Sequence, residues 1–244
     1  MTLNSAVLKW IEESGFPLEM EVAKEFRRAG FEVLQSSIVL DGQEGKSREV
    51  DVLARDPDLI GYVDINCVIE CKVSKAHPWV VFVADDVLEN YNRLHSFCVS
   101  SPDAKEAMWE EFRRGTVIRG LLPETNRCGY AVKQALGGTD HSYGAAISVL
   151  KACVKVVSEL PGVKSFPQIK FAFPLIVIDA PLFECSLNDH GELVLEEVSE
   201  SRFLYAAYVP EYAGCCITIV TKRNLPAAAL RYRAVANALR ETFA

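Results

Sequence analysis

Apolar positions recur along this chain with two different periods, and the changes between them mark out its elements. Residues 15–29 carry Leu18, Val22, Ala23, Phe26 and Ala29 at helical spacing after a Gly-Phe-Pro start, and Gly30 supplies a stop. That pattern predicts an amphipathic helix. Residues 31–40 alternate loosely and predict a strand. A polar, glycine-containing turn over 41–47 follows, then a short strand over 48–55, an Asp-Pro-Asp turn, and a longer strand over 62–73. Residues 79–83 are β-branched and aromatic, whereas 85–94 carry a helical pattern. Two further helical pieces are expected within 104–135. A Gly137-Gly138 turn leads to a helix from about 144 to 160 that is apolar on nearly every side and therefore buried. Strands over 168–185, 192–198, 203–209 and 215–222 and a last helix over 226–243 complete the reading. No internal repeat or low-complexity tract interrupts it. The order predicts one α/β domain over 1–244, a mixed sheet flanked by helices. A mostly helical insertion is expected at about 104–160, with additional strands and a C-terminal helix over 168–244.

Composition narrows the classes. Half the residues are apolar and 24% are charged, enough for a sizeable core. The formal net charge is -7, so nucleic acid cannot be held by bulk charge and any basic groove must be local. Arg113, Arg114, Arg119, Arg127 and Lys133 make the middle region locally basic, as phosphate contacts or as a solvated face. The first ten residues do not read as a signal peptide, and no apolar run has the length to cross a bilayer. A cytoplasmic protein with no membrane contact is the expectation. The 8 cysteines include no CxxC pair, which predicts reduced, mostly buried thiols rather than structural zinc.

The chemistry concentrates in Ile69-Glu70-Cys71-Lys72-Val73. Alternation along a strand sets Glu70 and Lys72 on one face and Ile69, Cys71 and Val73 on the other. An acid and a base on so apolar a run require a partner or a ligand. Asp51, between Val50 and Val52 on the preceding strand, is a second acid within reach of pairing. A symmetric hairpin about residues 58–59 would nevertheless set Asp51 opposite Asn66, so meeting Glu70 needs a skewed register, a bulge or a longer loop. Counting about 100° per residue from Leu18, the apolar stripe of the first helix centres near roughly 60°, and Glu19 falls within about 40° of it. Glu21, Lys24 and Arg28 lie opposite. Each residue also has an ordinary reading: Glu70 with Lys72 as an edge ion pair, Asp51 as a turn cap, Glu19 as an acid favoured by the helix dipole. Their joint occurrence in this order favours the chemical reading.

The run Gly15-Phe16-Pro17-Leu18-Glu19, with Val22-Ala23, Phe26 and Gly30-Phe31, resembles the first helix of restriction-endonuclease-like nucleases of the PD-(D/E)xK superfamily. Val50-Asp51-Val52 and Glu70-Cys71-Lys72 are similar to its catalytic strands, with Val50 where proline would stand. The resemblance covers about residues 15–75. It implies a restriction-endonuclease-like fold and a Mg²⁺- or Mn²⁺-dependent endonuclease acting on DNA. It further implies that Asp51, Glu70 and the main-chain carbonyl of Cys71 bind the metal. Lys72 would orient or deprotonate the attacking water, and Glu19 would hold a metal-bound water or second ion. An inactive binding or scaffold module of the same fold and an RNA substrate stay open, as does a homodimer or protein partner. A cysteine nucleophile is the weakest alternative, since His77, His95, His141 and His190 are scattered. Lys75, His77 and Trp79 follow the active strand as candidate cleft residues, with Trp79 better placed in the core.

Overall fold

The computed structural model describes residues 2–40, 47–57, 62–74, 76–89, 96–114, 125–137, 139–158, 169–205 and 214–243. Two helices open it, α1 (Leu3–Glu13) and α2 (Phe16–Arg28). The Thr2 hydroxyl oxygen accepts from the Ser5 N–H and caps α1, while Pro17 starts α2 where no N–H is needed. Gly30, at φ 91°, takes the left-handed turn that ends α2. The strands β1 (Glu32–Leu40), β2 (Ser47–Pro57), β3 (Val63–Val73), β4 (Trp79–Ala84) and β5 (Val99–Ser100) precede α3 (Pro102–Arg114). Then come β6 (Cys128–Gln134), α4 (Ser142–Val157), β7 (Ile169–Asp179), β8 (Leu182–Leu187), β9 (Leu193–Glu197), β10 (Glu200–Tyr205) and β11 (Cys215–Thr221). A short 3-10 turn, Lys222–Asn224, leads into α5 (Leu225–Phe243).

All the strands join one large mixed sheet, ordered β1-β2-β3-β7-β11-β10-β6-β4-β8-β9, with β5 on β7. β1, β2 and β3 form an antiparallel meander, and β3, β7 and β11 run parallel at its centre. The chain is thus an α/β protein with helices on both faces. On one face α2, α3 and α5 pack on Cys67, Ile69, Phe171 and Phe173. On the other, α4 covers Val68, Ile176, Ile178 and Ile217. Burying both faces explains why β3 and β7 are apolar almost throughout. A triad ties α5 back to the meander: Arg233 pairs with Asp56 at 2.9 Å and Arg240 at 2.8 Å, and Arg233 also donates to the Ala29 and Gly30 carbonyls. Among the described residues, no helix is long and apolar enough to cross a membrane.

Several elements differ from the sequence pattern. Residues 85–89 are turn rather than helix, and 90–94 lie outside the described residues. The second helical piece expected before 135 is instead the strand β6. Its Gly129 passes so close to its neighbours that an added Cβ would overlap Val81 and lie 2.8 Å from the Arg202 carbonyl oxygen. Sheet packing, not local propensity, decides that segment. The strand expected over 168–185 divides at Ala180-Pro181, where proline has no N–H for the ladder. The strand expected from 203 begins at Glu200, and 206–209 lie outside the described residues. Seven of the cysteines are buried and Cys185 is half-buried; all are free thiols.

Candidate active site

The decisive feature is the register between β2 and β3. Their pairing runs from Pro57↔Asp64 to Val52↔Ile69, so one further step sets Asp51 opposite Glu70. Asn66 pairs with Arg55 instead. The register is even throughout and centred between residues 60 and 61 rather than 58 and 59, so a longer connection, without skew or bulge, aligns Asp51 with Glu70. Past Val52↔Ile69 the Asp51 side chain takes over from the ladder: its Oδ2 accepts from the Cys71 N–H at 2.7 Å. In an antiparallel pair the N–H and C=O of one residue face the same neighbour, so the Cys71 carbonyl lies on the edge that Asp51 borders.

Asp51 sits at a backbone irregularity. Val50 and Val52 would share a face in a regular strand, yet Val50 packs under α4 and Val52 under α2. Across the β1–β2 pairing, between Gln35↔Val52 and Ser37↔Val50, stands Ser36 with φ 51°. A left-handed serine costs about 1–3 kcal/mol and re-aims the strand at this step. The switch of faces lets Asp51 meet groups that come from both sides of the sheet.

Glu70 and Lys72 share the face under α4. The Lys72 Nζ donates to the Glu70 Oε1 at 2.6 Å, with side-chain exposures of 31% for Lys72 and 11% for Glu70. Ser148 of α4 also hydrogen-bonds Glu70. Cys71 and Ile69 face the opposite core, as the alternation predicts. Glu19 enters from α2, half-buried beside the buried stripe of Leu18, Val22, Ala23 and Phe26.

These groups feel one another. Burial raises the Glu19 carboxyl above its usual range, and the charges of Asp51, Glu49 and Glu70 add to this against the pull of Lys72. Burial also raises Asp51, with the Cys71 hydrogen bond and Lys72 opposing it and Glu49 reinforcing it. Glu70 is raised by burial and by Asp51, against Lys72 and Ser148. Burial pulls Lys72 down, but Glu70 and Asp51 outweigh it and hold the ammonium above its ordinary value. The cluster is therefore short of positive charge. Among the described residues, no three His, Cys, Asp or Glu side chains are grouped tightly enough to hold a metal ion by themselves.

Asp51 and the Glu70–Lys72 pair thus lie at one end of β3, and Glu19 stands near enough to feel their charges. Two of the basic residues of the middle region, Arg127 and Lys133, are engaged elsewhere. Arg127 pairs with Asp85 at 2.8 Å and Lys133 with Asp140 at 3.1 Å. The side chains of Arg113 and Arg114, and Arg119, His95 and Lys75, lie outside the described residues. Trp79 is fully buried in the core under α4, whereas His77 borders a cavity just past Lys72. Sequence reasoning missed two participants. Ser148 had no distinguishing mark on a buried helix, and Glu49 is exposed yet acts electrostatically on Glu19 and Asp51. Comparison with family models, with curated proteins and with solved structures finds no match to any of them.

Proposed function

We propose that this chain is a metal-dependent phosphodiesterase of the PD-(D/E)xK type, with a restriction-endonuclease-like core, that cuts DNA. The observation that carries the reading is the reach of Asp51 to the Cys71 N–H, which sets one acid beside the Glu70–Lys72 pair. Asp51, Glu70 and the Cys71 carbonyl offer the hard oxygen donors that Mg²⁺ or Mn²⁺ takes, with the charge of Glu19 felt nearby. This set includes a main-chain oxygen, so it does not need a three-side-chain cage. Its fit rests on charge: three carboxylates held above their usual range by burial and mutual repulsion are relieved by a dication. When bound, the ion supplies Lewis acidity at the phosphate and lowers the pKa of its water. Lys72 is held in its ammonium form. That suits it to orient water and offset charge on the phosphate, rather than to remove the water's proton.

Purified protein is expected to nick plasmid DNA with Mg²⁺ and not with chelator, and Lys72→Ala is expected to abolish cleavage. Full activity in Lys72→Ala sinks the assignment. Competition between DNA and RNA oligonucleotides identifies the substrate. The short Glu70–Lys72 pair favours one second reading, a binding module in which that pair is purely structural. A folded protein that gives no heat on Mg²⁺ titration would select it.

A further inference from the structure

Asp51 and Glu70 each have one carboxylate oxygen already committed. The Asp51 Oδ2 accepts from the Cys71 N–H at 2.7 Å, and the Glu70 Oε1 accepts from the Lys72 Nζ at 2.6 Å. The two anchors differ in stiffness. A main-chain N–H in the paired strand β3 is fixed, and it fixes the Asp51 carboxylate in turn. Lys72 holds Glu70 through a flexible four-carbon stem whose side chain is 31% exposed. The last torsion of a glutamate is itself soft, with broad wells. One mobile donor therefore leaves the Glu70 carboxylate plane free to turn. The Ser148 hydroxyl supplies a second donor. A carboxylate only accepts, so the hydroxyl gives its proton to this bond.

That second donor stands on a rigid element. Ser148 lies in the middle of α4, half-buried between Ala145 one turn earlier and Ala152 one turn later, both buried. The helix packs on Val68, which shares a face with Glu70 in β3, and on Ile176, the partner of Glu70 in β7. We propose that Ser148 is a positioning residue: with Lys72 it fixes the plane of the Glu70 carboxylate, so that a single oxygen is offered beside Asp51 and the site favours Mg²⁺ over Ca²⁺. The proposal rests on the metal-site reading above. Mg²⁺ demands near-ideal octahedral geometry from one or two carboxylates, whereas Ca²⁺ takes more oxygens, accepts bidentate carboxylates and tolerates flexible geometry. Chelation by both Glu70 oxygens would press a dication against the Lys72 ammonium on Oε1.

The test is calorimetric titration of the metal-free full chain with Mg²⁺ and, separately, with Ca²⁺. Ser148→Ala is expected to fold normally by circular dichroism, since alanine suits a helix interior. Its Mg²⁺ affinity is expected to fall about 10–100-fold, the usual cost of losing a partner behind a metal ligand. Its Ca²⁺ affinity is expected to fall less, so the ratio of the two drops, a change that general loosening of the fold would not produce. Ser148→Thr keeps the hydroxyl and is expected to restore the ratio. Unchanged Mg²⁺ affinity in Ser148→Ala, equal losses for both ions, or a folded threonine variant as weak as the alanine one overturns this role and leaves the nuclease reading standing. The expected pattern of binding with no cleavage of DNA by the wild type removes the nuclease reading and leaves a built ion site. A wild type that takes up no Mg²⁺ removes both.

Discussion

Asp51 and Asp56 stand five residues apart on one strand and live in opposite electrostatic worlds. Asp56 is half-buried, and burial alone would raise its carboxyl. Hydrogen bonds and charge from Arg240 and Arg233 overcome that and hold it below its ordinary value. Asp51 is also half-buried but lies among other acids, and one backbone N–H with a neighbouring lysine does not restore the balance, so it stays high. Satisfied acids of the first kind hold folds together; unsatisfied clusters of the second kind accumulate where a ligand completes them. The triad at Asp56 joins residues of α5 to β2 and to the end of α2. The cluster at Asp51 brings together α2, β2 and β3, and among the described residues Lys72 is its counter-charge.

The contrast breaks most visibly in activity. Asp51→Asn and Glu70→Gln are each expected to lower Mg²⁺-dependent plasmid cleavage by roughly 10²–10⁴-fold, the scale of losing a catalytic group. Asp56→Asn should leave the cleavage rate per folded molecule unchanged. An Asp56→Asn enzyme as crippled as Asp51→Asn, both folded by circular dichroism, erases the distinction.

Stability moves the other way. Asp56→Asn removes charge-assisted hydrogen bonds from two arginines and is expected to destabilise by about 2 kcal/mol in urea unfolding. Asp51→Asn and Glu70→Gln in metal-free buffer should be neutral or stabilising, because each relieves repulsion. Added Mg²⁺ should raise the Tm of the wild type and not of those two variants.

The two regions also differ in the sign of their pH response. Carboxyls raised in the fold, at Glu19, Asp51 and Glu70, add stability that is complete below their ordinary range and is lost as pH rises through the raised folded values. Asp56, lowered in the fold, adds stability that is present above its ordinary value and is lost as pH falls through the lower one. Metal-free unfolding followed from acid to neutral pH should therefore lose its destabilising rise in Asp51→Asn/Glu70→Gln and lose its acid-side fall in Asp56→Asn. Identical profiles for both variants would contradict the assignment.

The smallest effect is expected at Lys222, whose pair with Glu21 at 2.7 Å is well exposed on both sides. Lys222→Ala should change stability by no more than about 1 kcal/mol and leave cleavage unaltered. A large loss there would show that charge near α2 matters beyond the cluster itself.

Much of the candidate site was legible because its cues are local. Glu19 is marked by its place on a helical stripe, and Glu70 and Lys72 by alternation on an apolar strand; both periods survive folding intact. The burial of most cysteines follows from residue type and from the apolar runs that carry them. The strand β6 was misread because Gly129 reports a close approach of neighbouring strands that no window of sequence contains. The left-handed Ser36 was invisible for the same reason, since nothing in a serine announces a strained backbone.

What this sequence decided unaided is which side chains share a face: an acid on the buried stripe of α2, and an acid with a lysine on one side of β3. The partners of those faces came only with tertiary structure. A hairpin centred on residues 58–59 would have set Asp51 against Asn66; the longer connection, centred between 60 and 61, sets it against Glu70 instead. Register and long-range pairing depend on loop closure and on burial across the whole sheet, energies to which residues far apart in the chain contribute jointly. Arg233 and Arg240 reach Asp56 from the far end of the chain by the same route.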